Sequence, residues 1–103
     1  MYAIRVRLER HDGPPQAVPV ATTLRAGLEH TVRFPTRLGH ARIRQDAGAV
    51  DAVLFVQAHT LLEAEGELKH ACGVLTGDGA PLSGWAVRRC EADPWIALGL
   101  HEE

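Results

Sequence analysis

Residues 2–9 read Tyr-Ala-Ile-Arg-Val-Arg-Leu-Glu, and this stretch decides the fold. The even positions from Ile4 to Leu8 are apolar, whereas Arg5 and Arg7 between them are charged. Successive side chains of a β-strand point to opposite faces, so a period of two is typical of a strand that is buried on one face only. We therefore predict a first strand that packs its apolar side chains on a core and turns its arginines outward.

A helix is predicted after the turn residues that follow this strand. It begins at Thr22 or Thr23, because threonine is a favoured N-cap residue. It runs to about Arg33, since apolar residues recur at every fourth position from Leu24. Pro35 then ends the helix, because proline cannot continue it.

A hairpin of two strands is predicted in the middle of the chain. Residues 38–46 alternate between apolar and charged side chains, and residues 46–49, Asp-Ala-Gly-Ala, are typical of a turn. The run at 52–58, Ala-Val-Leu-Phe-Val-Gln-Ala, is almost continuously apolar. Such a run favours a central strand, here at 50–58, that is covered on both faces.

A second helix is predicted to follow Thr60. Thr60 and Glu63 have the spacing of a capping box, in which each side chain accepts a hydrogen bond from a backbone N–H group at the helix start. The helix ends at Gly73 or Gly77. Its buried stripe steps by three and four residues: Leu61, Ala64, Leu68, Ala71 and Leu75.

A last strand is predicted at 84–92, and residues 95–100 are interpreted as either a short edge strand or an irregular cap. Two sets compete for the inward face of the last strand: Trp85 with Val87, or Ala86 with Cys90. The order strand, helix, strand, strand, helix, strand is typical of the ferredoxin-like β-α-β-β-α-β fold. We therefore expect an α+β domain whose antiparallel sheet carries both helices on one face and leaves the other face open.

Length and composition restrict the class of protein. The chain has 103 residues, of which 46% are hydrophobic and 23% charged, so we expect one globular domain spanning 1–103. These values exclude a disordered chain and a disulfide scaffold. Arginines outnumber lysines ten to one, which indicates a GC-rich bacterial source. No apolar stretch approaches the roughly 20 residues of a membrane-spanning helix, and the charges at 5–10 argue against a signal peptide, so we expect a cytoplasmic protein.

The two cysteines are expected to be reduced thiols in the core. Cys72 and Cys90 have no CxxC spacing, which argues against a zinc ribbon or a thioredoxin-type site. A reactive thiol requires an electropositive setting, and Arg88 and Arg89 make Cys90 the better candidate of the two.

Charge is distributed unevenly along the chain. Residues 1–50 carry a net charge of +4 and residues 51–103 a net charge of −6. Arginine binds carboxylates and phosphates through two parallel hydrogen bonds. We predict a surface that binds a partner or an anion, formed by Arg5, Arg7, Arg33, Arg37, Arg42 and Arg44. The alternative is a solvated sheet face whose charges prevent aggregation.

Nucleic acids, metals and cofactors are not the expected ligands. RNA-binding sheets stack bases on exposed aromatic residues, and the predicted central strands offer only Phe55 for this. The net charge of −2 also differs from the basic character of most nucleic-acid-binding proteins. Glu67 and His70 have the spacing of a helical metal site, but such sites need a second helix with the same motif.

Two functions are compatible with the sequence. The first is a non-enzymatic module that forms a homodimer and binds a protein partner or a small anionic ligand through the arginine-rich sheet face. The second is a small cofactor-free enzyme of the oxygenase, cyclase or isomerase type, by analogy with dimeric ferredoxin-like barrels that act on hydrophobic metabolites. Its candidate catalytic residues are His59, His40 and Tyr2. His59 alternatively covers the start of the second helix as a packing residue.

Overall fold

Six helices and strands follow one another in the computed structural model, which describes residues 1–10, 20–33, 35–46 and 48–92. In chain order they are β1 (Tyr2–Arg10), α1 (Val20–Thr31), β2 (Arg37–Asp46), β3 (Ala49–Gln57), α2 (Leu61–Leu75) and β4 (Trp85–Ala92). Residues 95–100 lie outside the described residues, and α1 begins before the threonines expected to cap it. Across the described ranges, neither helix is long and apolar enough to span a lipid bilayer.

The strands form an open sheet in the order β2-β3-β1-β4, and each neighbouring pair is antiparallel. This confirms the predicted α+β class with an antiparallel sheet and two helices. The central strands are β1 and β3, and β3 is the most apolar of the described strands in sequence. In the turn between β2 and β3, Gly48 has a φ of 90°, which glycine adopts without steric strain.

Both helices contribute to a core on one face of the sheet. The cluster includes Ile4, Val6, Leu8, Leu24, Leu28, Leu54 and Leu68. The prediction for β1 is confirmed, because Ile4, Val6 and Leu8 are at most 1% exposed whereas Arg5 is exposed. Fully burying an aliphatic side chain of this size contributes about 1.5–3 kcal/mol, so this face of β1 holds the strand in place.

A β-bulge decides which side chains of β4 face the core. The register between β1 and β4 shifts by one residue, which leaves Arg88 without an opposite residue. The shift reverses the alternation, and both Trp85 and Cys90 are therefore buried. Neither of the two sets considered from the sequence is buried as a whole, because Val87 is 36% exposed although Trp85 is buried, and the bulge lies between Ala86 and the buried Cys90.

Among the described residues, the apolar strand β3 is covered on one face only, which differs from the expectation from its sequence. Val50, Leu54 and Val56 are buried, whereas Val53 and Phe55 are half-buried on the face away from the core. The apolar run therefore supplies both the centre of the core and an apolar strip on the uncovered face of the sheet.

The helix α2 begins with only half of the predicted capping box. Thr60 Oγ1 accepts a hydrogen bond of 3.1 Å from the backbone N–H of Glu63. The Glu63 carboxylate does not return a bond, since its Oε1 is buried and has no partner among the described residues. The helix continues through Gly73 and ends at Leu75, where Thr76 is the C-cap.

Alanine substitutions at two helical glycines should separate helix propensity from packing. A Cβ at the exposed Gly66 of α2 meets nothing within 4 Å, so we expect Gly66→Ala to stabilise the fold by about 0.5–1 kcal/mol. A Cβ at Gly27 of α1 lies 2.7 Å from Cδ2 of the buried Leu75, so we expect Gly27→Ala to gain less or to destabilise. Urea unfolding measures both, and an equal or larger gain for Gly27→Ala would contradict this packing.

Candidate functional site

The sheet face opposite the helices, here called the open face, carries rows of side chains that run across the strands. In one row, Val53 of β3 lies opposite Arg5 of β1 on one side and Arg42 of β2 on the other. Residues directly opposite each other in antiparallel strands share a face, with Cβ atoms about 4.5–5.5 Å apart. The two arginines therefore stand on either side of a half-buried apolar side chain.

The neighbouring row is dominated by charge. Asp51 of β3 lies between Arg7 of β1 and Arg44 of β2, and Arg89 of β4 lies opposite Arg7 on the other side. One acidic residue thus lies between an arginine on each flanking strand. This row places a higher density of positive charge on the open face than the first row does.

The two rows together form a groove of about 730 Å³, here called the arginine groove. Its lining includes five arginines: Arg5, Arg7, Arg42, Arg44 and Arg89. Asp51 is the acidic residue that lines it, and Val53 forms part of its apolar floor. The groove therefore combines convergent cations with a small apolar surface, a combination suited to an anion with a compact body.

The positive charge of Arg7 is already neutralised within the chain. Its Nη1 donates a hydrogen bond of 2.6 Å to Asp51 Oδ2, and its Nε donates one of 2.9 Å to Glu9 Oε2. The bond from Arg7 lowers the pKa of the Glu9 carboxyl, and the bonds to Glu9 and Asp51 raise the pKa of Arg7. Arg7 therefore orders the groove wall, while its capacity for an incoming anion is largely occupied.

Three other arginines of the groove remain available. Within the described part of the chain, no hydrogen bond or ion pair joins the guanidinium groups of Arg5, Arg42 or Arg44 to another residue. Arg89 is intermediate, since its Nε lies 3.4 Å from Glu91 Oε1 in an exposed ion pair. An anion in the groove thus meets three free guanidinium groups.

Two of the six arginines predicted to form a binding surface lie outside the arginine groove. Arg33 donates from Nε and Nη2 to the two carboxylate oxygens of Glu67 at 3.1 and 3.0 Å, and its backbone N–H donates to Oε2 at 2.8 Å. These bonds lower the pKa of the Glu67 carboxyl and tie the end of α1 to α2. Arg37 lines a separate groove of about 360 Å³ with Thr36 and Leu38. Neither arginine lines the arginine groove, where the other four are found.

The candidate catalytic residues occupy separate places. Tyr2 lies opposite Val56 and packs against the core, whereas His40 lies opposite Phe55 on the open face. The His40 and Phe55 rings are 5.9 Å apart between centroids. His59 is exposed in the segment that joins β3 to α2. Tyr2 and His40 therefore lie on opposite faces of the sheet.

The described residues offer no metal centre. Within them, no three His, Cys, Asp or Glu side chains lie close enough together to hold a metal ion. The arginine groove itself presents cations and one occupied carboxylate, a donor set that suits an anion.

Sequence reasoning missed two members of the groove. The sequence shows Arg89 beside Cys90 but not on the open face, because the direction of its side chain depends on the bulge at Arg88. Asp51 gave a weak signal as an isolated acidic residue at the start of an apolar run. Pairing the two predicted hairpin strands residue by residue could have placed Asp51 beside Arg44, whereas no pattern in the sequence predicts the bulge.

Comparison of the chain with protein-family models, with curated proteins and with solved structures finds no match. The function proposed below therefore depends on the geometry of the arginine groove.

Replacing the Glu67 carboxylate should remove a pH-dependent part of the stability. The folded-state pKa of Glu67 is lowered, so its contribution is complete above the ordinary glutamate range, near 4.3, and is lost as the pH falls through the folded value. We expect Glu67→Gln to be less stable than the wild type at pH 7, with the difference shrinking towards pH 3. Urea unfolding across this range tests the pair, with Glu29→Gln on the exposed side of α1 as control. A gap that stays constant with pH would contradict an ion pair at Arg33.

Proposed function

We propose that this protein is a non-enzymatic binding module that takes a small anionic ligand in the arginine groove. The observation that carries the proposal is that Arg5, Arg42 and Arg44 line one groove without a carboxylate partner in the described part of the chain. Solvated sheet faces also carry charge, but they gain most when opposite charges lie across the strands from each other. Here Asp51 is bound to Arg7, which leaves Arg44 opposite an occupied carboxylate.

The repulsion among the free arginines supports a ligand rather than simple solvation. Arg42 and Arg44 stand two residues apart on one strand and on the same face, so their like charges repel each other. An anion that accepts hydrogen bonds from both guanidinium groups removes this cost and gains charge-assisted bonds. Binding therefore stabilises the sheet at the place where its own charges oppose it.

The spacing of the arginines favours a ligand with more than one anionic group. Arg5 and Arg42 are separated by β3, so their backbones are about 9–10 Å apart across two strand spacings. A single carboxylate is bound by one guanidinium group. A diphosphate or a tricarboxylate is long enough to reach the guanidinium groups on both sides of Val53. We therefore propose a small polyvalent anion, with an acidic peptide as the competing occupant in the test.

We further propose that the domain is ferredoxin-like, that its source is bacterial and that it works in the cytoplasm. The element order and the strand order β2-β3-β1-β4 support a ferredoxin-like arrangement. The arginine-rich composition supports a bacterial source, and the two free cysteines support a reducing compartment such as the cytoplasm.

Anion titration of matched arginine variants tests the groove. We expect pyrophosphate to bind the wild type more tightly than inorganic phosphate, and each of Arg42→Gln and Arg44→Gln to weaken binding about fivefold to tenfold. Arg37→Gln is the control, since it removes the same charge from the same strand outside the groove. Isothermal titration calorimetry at two salt concentrations gives the affinities, which should fall as salt rises.

The stability of the unliganded variants distinguishes a binding site from a solvated face. We expect Arg42→Gln to unfold at the same temperature as the wild type or slightly above it without anion, and below it with pyrophosphate, because the substitution relieves repulsion but removes ligand bonds. Equal changes in the unfolding temperature of Arg42→Gln and Arg37→Gln on adding pyrophosphate would refute anion binding in the groove. An unfolding temperature of the wild type that no anion changes would also refute it. Binding of an acidic peptide but not of pyrophosphate would instead favour a protein partner.

We extend the proposal to a homodimer in which the open faces of two copies approach each other. A two-fold axis brings the same surface of both copies together, so free arginines of one copy approach those of the other. Their repulsion opposes the dimer unless a polyvalent anion lies between the faces. We expect sedimentation at tens of micromolar protein to detect more dimer with pyrophosphate than without it, and less of this increase for Arg42→Gln. A fraction of dimer that changes neither with pyrophosphate nor with Arg42→Gln would exclude this interface.

A further inference from the structure

Two buried thiols face each other between helix α2 and strand β4. Cys90 lies opposite Val6, whose side chain is in the core, and only 7% of Cys90 is exposed. Cys72 is completely buried in the same core cluster. Both side chains belong to one buried cluster, and each thiol shifts the pKa of the other, so the two thiols lie close together among hydrocarbon side chains.

The surrounding contacts hold the strand and the helix in register at this point. The backbone N–H of Ala92 donates a hydrogen bond of 2.7 Å to Glu65 Oε2. Glu65 and Cys72 are seven residues apart on α2, so they lie on the same side of the helix. Ala92 and Cys90 are two residues apart and lie on the same side of β4. The thiol contact is therefore the second of two successive contacts between the same pair of elements.

The two thiols are not equivalent. The hydrogen bond from the Cys72 thiol lowers the pKa of Cys90, and the nearby Lys69 ammonium lowers it further. The same bond and burial raise the pKa of Cys72. Cys90 is also the more accessible of the two, with 7% exposure against 0% for Cys72, so its sulfur meets an oxidant first and the Cys72 thiol reacts second.

We propose that Cys72 and Cys90 are a redox modification site, at which a peroxide converts the two thiols into a reversible disulfide between α2 and β4. Among the described residues, the strand it fastens is at the edge of the sheet, paired only with β1 and interrupted by the bulge at Arg88. An edge strand with one neighbour opens more readily than a central strand, which gives a small oxidant access to the buried sulfur atoms. The proposal does not depend on the ligand of the arginine groove.

The chemistry balances with hydrogen peroxide as the two-electron oxidant. The Cys90 sulfur attacks one peroxide oxygen, the O–O bond breaks, and Cys90 becomes a sulfenic acid while water leaves with the thiol proton. The Cys72 sulfur then attacks the sulfenic sulfur, the S–O bond breaks, and the Cys72 proton leaves with the hydroxyl group as a second water. The products are one disulfide and two waters, and a dithiol reductant reverses the change.

Intact-mass measurement on the native full chain tests the site directly. The protein is treated with hydrogen peroxide while folded and then alkylated with iodoacetamide in denaturant. We expect a monomeric product about 2 Da lighter than the starting protein that takes up no alkyl group, and peptide mapping that joins residue 72 to residue 90. Dithiothreitol should restore both alkylatable thiols. Two thiols that remain free, sulfur atoms that gain oxygen without joining, or a crosslink between chains would each overturn the proposal.

Thermal unfolding supplies a second measurement that requires no assignment of peptides. A crosslink that restricts the unfolded chain should raise the Tm of the oxidised wild type by several degrees, and dithiothreitol should reverse the rise. Cys72→Ala and Cys90→Ala are matched controls, since each retains one thiol and cannot form the bond. An equal rise in Tm for either variant after peroxide treatment would show that the effect does not come from this pair.

Discussion

The alternation of side chains along β1 is the constraint on which the rest of the structure depends. Ile4, Val6 and Leu8 are buried beneath the helices, and the same period of two directs Arg5 and Arg7 to the opposite face. A slip of one residue in the pairing with β3 would exchange the two sets and bury the charges. The hydrophobic core therefore fixes the position of the groove arginines as firmly as it fixes the strand.

A second constraint acts on the open face itself. Arg7 binds Asp51 across the strands and Glu9 along its own strand, which uses the carboxylate that Arg44 would otherwise approach. Bonds of this kind contribute modestly to stability when they are half-exposed. Their larger effect is on specificity, because they order one wall of the groove and leave the opposite wall positively charged.

The sequence predicts what depends on local periodicity and misses what depends on distant partners. The strand at 2–9 and the helix after Thr60 are predictable, because their apolar spacing repeats over many residues. Four groove arginines follow from the same alternation. The place of Arg33 outside the groove could not be predicted, because its partner, Glu67, lies on helix α2, 34 residues away in sequence. No spacing within the flanking residues reveals such a bond.

The bulge at Arg88 explains why the sequence does not predict the buried face of β4. It also determines which side chains β4 contributes to the core and to the groove. Trp85 is 3% exposed and anchors the start of β4 in the core. In a regular strand, alternation from Trp85 would turn Arg89 inward, and burying an unpaired guanidinium costs several kcal/mol. The extra residue removes this conflict, since it places Cys90 against α2 and Arg89 in the groove. One irregularity thus lets an edge strand contribute a thiol to the core and a cation to the open face.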